Sequence, residues 1–133
     1  MPTVVLLGTL DTKGVEYAYL RSQIAAEGCD VVIVDAGVLE APTVEPDVSR
    51  DEVARAADVD VAELASQGDR GVAIEAMARG ATEVVLQLHA DGRLDGILAL
   101  GGTGGSSLAT EAMRALPVGV PKLMVSTVAS GNT

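Results

Sequence analysis

Aromatic side chains are almost absent from this 133-residue chain, which has two tyrosines and neither tryptophan nor phenylalanine. Proteins that bind single-stranded nucleic acid depend on aromatic rings for base stacking. The net charge of −10, from 19 acidic and 9 basic residues, also opposes binding to polyanions such as RNA and acidic membranes. We therefore expect no nucleic-acid partner and a core of aliphatic side chains and methionine.

Cysteine, histidine and long apolar runs are scarce as well. Cys29 is the only cysteine, so an internal disulfide is excluded and a reducing, cytoplasmic location is expected. No apolar run approaches the ~20 residues that cross a membrane, and no signal peptide precedes the first apolar run. With a single histidine, the sequence shows no Ser–His–Asp set and no metal-ligand cluster of credible spacing.

Four continuous apolar runs predict strands that are buried on both faces, as in a parallel sheet. Helical patterns lie between them, so the order of elements predicts a single α/β domain over residues 1–133. Its expected architecture is a three-layer sandwich with a mostly parallel, doubly wound (Rossmann-like) sheet. The predicted strands are 3–7, 31–34, 94–100 and 122–126, and the predicted helices are 15–27, 49–57, 58–67, 69–89 and 108–116.

The long helix at 69–89 is predicted to bury one apolar stripe. Gly80 lies inside it and indicates a bend or a close contact. The stripe consists of Val72, Met77, Val84, Val85 and Leu88, with Ile74 less well placed.

The glycine-rich stretch GGTGGSS at 101–107 lies between the third predicted strand and the helix that follows it. Glycines allow a bulky anion to approach bare backbone N–H groups, and the following helix adds unpaired N–H donors and the positive end of its dipole. The stretch therefore predicts a phosphate site, although a close-packed turn that binds nothing is the alternative.

Three further turns, 8–14, 35–38 and 127–131, follow the other strands and should meet at the same edge of the sheet. In the first, Lys13 either neutralises a phosphate or is a solvated lysine, and Asp11 either binds ligand or caps the helix. Asp35 lies where dinucleotide-binding folds place a ribose-binding acid. The match is weak because residues 8–11 lack a G-x-G turn, so NAD is disfavoured and a mononucleotide remains open.

Arg70 stands in the first turn of the long helix, where the helix dipole disfavours a cation. Its presence there indicates either an anionic ligand or a pair with a nearby acid.

Three motifs resemble a known family. GTLDTKG at 8–14, LGGTGGSSL at 100–108 and PKLMVSTVASG at 121–131 resemble the family of the tomato mosaic virus resistance protein, an inhibitor of viral RNA replication with bacterial and fungal relatives of unassigned activity. The resemblance implies an α/β N-terminal domain that binds ATP and is followed by a second domain. The virus-inhibiting role is not carried over to this chain.

By the same resemblance, the first turn contacts the nucleotide, the glycine-rich stretch holds its phosphates, and the backbone around Val38 lies near the nucleoside. Arg70 corresponds to a position near the phosphates. The residues so implied are Asp11, Thr12, Lys13, Val38, Arg70, Gly104, Gly105, Ser106 and Ser107.

Three functions remain open. The first is a nucleotide-binding domain that holds ATP, with or without Mg²⁺, as a ligand, since no Walker lysine or catalytic base is recognisable. The second is part of an enzyme that acts on a small phosphorylated or carboxylated metabolite. Such an enzyme would be completed by a second domain, and Asp11 or Lys13 would transfer the proton. The third is a structural module that forms a homo-oligomer through an exposed sheet edge.

Overall fold

The apolar runs form parallel strands, and the segments between them form helices. The computed structural model describes residues 2–38, 42, 44–101 and 103–126, without the side chains of residues 11, 12, 70, 103–106 and 126. The fourth predicted turn, 127–131, lies outside the described residues. In chain order the elements are β1 Thr3–Gly8, α1 Leu10–Ala26, β2 Asp30–Asp35, α2 Arg50–Ala56, α3 Val61–Gln67, α4 Arg70–Ala90, β3 Gly96–Gly101, α5 Thr103–Ala115 and β4 Lys122–Ser126.

The four strands form one all-parallel sheet in the order β2-β1-β3-β4. The chain steps from β1 outward to β2 and then returns across β1 to β3. The gap between β1 and β3 is therefore the topological switch point, and ligands of open α/β sheets bind at the carboxyl ends of the strands there. The predicted fold class is confirmed.

Strand alternation sends neighbouring side chains of β1 to opposite faces of the sheet. Leu6 packs with Tyr17 of α1 on one face. Val5 and Leu7 pack on the other face, in the larger cluster formed with α2, α4 and α5. The sheet is thus the middle of three layers, and α1 and α5 lie on opposite sides of it.

Side-chain caps start the middle helices close to where the sequence predicts. Ser49 and Glu52 form a capping box at the start of α2. Asp60 caps α3, so that helix begins at Val61 and not at 58, because Asp58 adopts a left-handed backbone with φ of 61° after α2 has ended. Asp69 caps α4 through the backbone N–H of Val72.

Two helices begin earlier than predicted. The sequence predicts starts at 15 and 108, but α1 begins at Leu10 and α5 at Thr103. The residues predicted as turns are therefore the first turns of helices. In α1 a distant acceptor favours the early start, because the backbone N–H of Leu10 donates to Asp35. Lys13 keeps a non-helical backbone (φ −121°, ψ 17°) that kinks the helix.

The predicted stripe of α4 is partly wrong, because Val72 is 45% exposed. Small side chains take the buried positions instead, since α2 approaches α4 closely at Gly80. A Cβ added at Gly80 would collide with the carbonyl group of Val53, which confirms the close contact that the sequence suggests. The buried residues of α4 are Ala73, Ala76, Met77, Ala78, Gly80, Ala81, Val85 and Leu88.

Gly80→Ala should test this helix contact. Alanine is the better helix former by about 1 kcal/mol, but here the added methyl group would force α2 away from α4. We expect the free energy of unfolding to fall by roughly 1–3 kcal/mol, measured by denaturant titration. The control is Gly71→Ala in the same helix, where the nearest atom to the new Cβ is the movable Oδ1 of Asp69 at 3.3 Å. Equal stabilisation by both changes would contradict the close packing.

Candidate functional site

The carboxyl-terminal edge of the sheet brings the first two loops into contact. The backbone N–H of Ala36, after β2, donates to the carbonyl oxygen of Gly8, at the end of β1, at 2.8 Å. On the other side of the switch point, α5 begins two residues after Gly101. The amino-terminal ends of α1 and α5 therefore flank the crevice between β1 and β3 from opposite faces of the sheet. Both ends present backbone N–H groups and positive dipole charge to this edge.

Tyr17 sets the separation of β1 and β3 at the crevice. These strands pair from Val4 to Leu6, and beyond that point the Tyr17 hydroxyl stands between them. It donates to the carbonyl oxygen of Leu7 and accepts from the backbone N–H of Leu100 at 2.9 Å. A Cβ at Gly8 would collide with the tyrosine ring, so glycine is needed where the ring passes β1.

Asp35 is a fully buried acid at the end of β2. One carboxylate oxygen, Oδ1, accepts from the backbone N–H groups of Leu10 (3.2 Å) and Gly37 (2.9 Å). The other, Oδ2, is paired with Nε of Arg50 at 3.1 Å. The acid therefore lies at the edge where the sequence places it, but both of its oxygens are held by the protein. A direct contact with ribose stays a prediction, because the described donors to this buried carboxylate all belong to the protein.

Arg50 contacts Asp35 at this edge and is not among the residues that the sequence predicts for the site. It is the first residue of α2, and its side chain is only 11% exposed. Its Nη2 atom is buried and has no hydrogen-bond partner in the described part of the chain. The signal was present in the sequence, because a cation in the first turn of a helix opposes the dipole. Arg50, directly after the Ser49 cap, shares this feature with Arg70.

The remaining predicted residues fall on three helix starts and one loop. Lys13 is half-buried at the kink of α1, Val38 is half-buried after β2, and Ser107 is exposed in α5. The backbones of the others lie in the first turns of α1, α4 and α5, and their side chains lie outside the described residues. Those others are Asp11, Thr12, Arg70, Gly104, Gly105 and Ser106.

The described residues show few features of other kinds of site. They contain no group of three or more His, Cys, Asp or Glu side chains that could hold a metal ion. None of their helices is long and apolar enough to cross a membrane. A hollow of about 500 Å³ lies between α2, α4 and α5, lined partly by Arg79, Glu83 and Glu111. It contains none of the predicted site residues.

Comparison with known proteins identifies similar chains in bacteria and in a plant. Residues 2–133 match the uncharacterised protein family UPF0261, N-terminal domain. The chain is 42% identical to a UPF0261 protein of Clostridium tetani over 130 residues. This aligned stretch is 98% of this chain and 32% of that protein. A UPF0261 protein of Rhizobium meliloti is 42% identical over 132 residues, or 99% of this chain and 32% of that protein. The ToMV susceptible protein tm-1(GCR26) of Solanum lycopersicum is 31% identical over 147 residues, or 99% of this chain and 20% of that protein. The chain thus spans about one third of the bacterial relatives' length.

Tyr17→Phe should weaken the fold in a pH-dependent way. Burial raises the pKa of Tyr17 from 10.0 to about 12, against a smaller opposing effect of the Leu100 backbone hydrogen bond. Because the folded chain holds the proton more tightly than the unfolded chain, this stabilisation is complete below pH 10 and is lost as the pH rises towards 12. The two-unit shift corresponds to roughly 2–3 kcal/mol.

The test is the free energy of unfolding measured from pH 8 to 12. At neutral pH the variant should be less stable than wild type by about 1–3 kcal/mol, because it leaves buried backbone groups unpaired. Above pH 10 this difference should shrink, because wild type loses stability as Tyr17 ionises and the variant does not. Tyr19→Phe, at a 64% exposed position, is the control and should behave as wild type. Parallel curves for wild type and Tyr17→Phe would contradict the assignment.

Proposed function

This chain belongs to the uncharacterised protein family UPF0261 and matches its N-terminal domain over residues 2–133. For this domain we propose a nucleotide-binding function, in which ATP is held at the carboxyl-terminal edge of the sheet. The observation that carries the proposal is the pair of helix starts, α1 and α5, that flank the switch point. Helix starts at such a crevice are suited to phosphate groups. The resemblance of the three sequence motifs supplies ATP as the nucleotide.

In this proposal the phosphates lie between the two helix starts. Gly104 and Gly105 add no side chains to the first turn of α5, so an anion can approach their backbone N–H groups, and Ser106 and Ser107 add hydroxyl donors. On the α1 side, Lys13 supplies positive charge, and Asp11 and Thr12 contact the nucleotide. Arg70 adds charge near the phosphates, and Val38 contacts the nucleoside with its backbone.

Mg²⁺, where it accompanies ATP, arrives bound to the phosphates, since this ion keeps several waters and takes few protein ligands. The buried carboxylate of Asp35 does not fit a metal-binding role, because N–H donors occupy both of its oxygens. In this proposal Asp11, the acid in the first turn of α1, is the residue that would bind the Mg²⁺ ion. The enzyme alternative, with proton transfer by Asp11 or Lys13, has no separate support from the described residues.

ATP should raise the melting temperature of the complete natural protein, because a ligand that binds the native state stabilises it by mass action. At ~100 times its Kd it adds about 2.7 kcal/mol. Lys13→Ala should weaken ATP binding about tenfold, the equivalent of one charge-assisted hydrogen bond. The measurements are thermal unfolding and titration calorimetry.

Lys122→Ala is the matched control, because Lys122 lies at the opposite, amino-terminal end of β4 and donates to the carbonyl of Pro117 at 2.8 Å. It should leave ATP affinity unchanged. Absence of affinity for ATP, ADP and AMP at millimolar concentration would contradict the proposed function.

A second candidate function, contact with a further part of the complete protein, is favoured by an apolar patch that is exposed among the described residues. Leu98 pairs with Leu123 and Leu100 with Val125 in the β3–β4 register, so the four side chains share the face on which α1 packs. Leu123 is 59% exposed and Val125 49%, whereas parallel sheets are normally covered on both faces. Since the bacterial relatives are about three times as long as this chain, we infer that a further part of the longer protein covers the patch.

Leu123→Ser should reveal this cover. In the complete natural protein we expect a loss of roughly 1.5–3 kcal/mol of stability, the value for burying a leucine side chain. Val118→Ser, at a 99% exposed turn position, should cost almost nothing. Equal, small losses in both variants, measured by denaturant titration, would show that the patch stays exposed.

A further inference from the structure

Arg50 and Asp35 form a buried ion pair in which one nitrogen of the arginine has no hydrogen-bond partner among the described residues. The Asp35 carboxylate has four lone-pair directions and receives three donors: Leu10 N–H, Gly37 N–H and Arg50 Nε. The guanidinium group contributes Nε to this pair, while its Nη2 atom is buried with no partner in the described part of the chain. Buried polar groups are almost always hydrogen-bonded, so an orphaned donor on a charged group needs an explanation.

Solvent does not provide that explanation, because Nη2 is shielded from it. Nor is the arginine needed merely to neutralise Asp35. Two backbone N–H groups and the positive end of the α1 dipole already face the carboxylate, and a lysine would supply the balancing charge with fewer donors to satisfy. What an arginine adds is a planar fork of donors that bind anionic oxygens in a fixed direction.

The position of the pair links it to the proposed site. Oδ1 of Asp35 receives the N–H of Leu10, the first residue of α1, and Oδ2 of the same carboxylate holds Arg50. The guanidinium group and the start of α1, which carries Asp11, Thr12 and Lys13, are therefore bonded to the same carboxylate. The Arg50 side chain stays 11% exposed, so it lies at the inner margin of the surface.

We propose that Arg50 is a ligand-binding residue of this site. Its Nη2 atom donates a hydrogen bond to a phosphate oxygen of the bound nucleotide, and Asp35 is a positioning residue that orients the guanidinium group through Nε. This inference rests on the proposed function and adds to it a cation from α2. It also gives Asp35 a role that keeps its buried contacts, in place of a direct contact with ribose.

Arg50→Lys is the sharpest test in the complete natural protein. Lysine preserves the positive charge next to Asp35 and hence the fold, but removes the second donor of the fork. We expect ATP affinity to fall about tenfold or more, measured by calorimetry, while the melting temperature without ligand stays close to that of wild type. Arg55→Lys, the same change at an exposed position of the same helix, should leave affinity unchanged.

The role of Asp35 is tested by a double-variant cycle. Asp35→Asn preserves size and the acceptor for the Leu10 and Gly37 N–H groups, but loses the charge that holds Nε. If Asp35 acts through Arg50, Asp35→Asn should weaken ATP binding in wild type and have little further effect in Arg50→Lys. Additive losses in a correctly folded double variant would overturn the positioning role.

A second probe, inorganic phosphate, separates this inference from the proposed function. ATP binding that is unchanged by Arg50→Lys would overturn the Arg50 proposal and leave ATP binding intact. Binding of inorganic phosphate that depends on Arg50, without binding of ATP, would support an anion site at Arg50 and contradict the nucleotide function. Absence of binding of either probe to wild type would overturn both.

Discussion

The buried carboxylate of Asp35 is the contact on which the candidate site depends. It holds the first residue of α1, the loop after β2 and the first residue of α2 through Leu10, Gly37 and Arg50. These three segments are up to 40 residues apart in sequence. A buried charge is tolerated only when it is hydrogen-bonded and paired. The three hydrogen bonds that stabilise the buried charge of Asp35 therefore also fix the geometry of the carboxyl-terminal edge of the sheet.

The layered architecture explains why the site lies at this edge. Each strand is parallel, so all four carboxyl ends point the same way, and the return from β2 to β3 places α1 on one face and α5 on the other. Two helix starts consequently face one crevice with no helix between them. Tyr17 reaches through the layer from α1 to hold Leu7 and Leu100 apart at that crevice. Packing on the α1 face and the spacing of the candidate phosphate site are thereby coupled.

The sequence predicted the strands well and the helix starts less well, for a physical reason. Apolar runs are a local signal, and all four strands lie within two residues of their predicted bounds. The sequence predicts the starts of α1 and α5 five residues too late in each case, because glycine and small polar residues favour turns by intrinsic propensity. In α1 the deciding interaction is long-range, since Asp35 accepts from Leu10 across 25 positions. The Arg50–Asp35 pair depends equally on tertiary contact, so its orphaned donor is visible only in three dimensions.

The scarcity of aromatic residues gives the crevice an optical property. The chain contains no tryptophan, so its intrinsic ultraviolet fluorescence arises from Tyr17 and Tyr19 alone. Tyr19 faces solvent, whereas the Tyr17 ring is enclosed with its hydroxyl bonded to two strands. Any event that changes the distance between β1 and β3 alters the surroundings of one of only two emitting rings. The domain thus reports on the state of its own crevice without an attached dye.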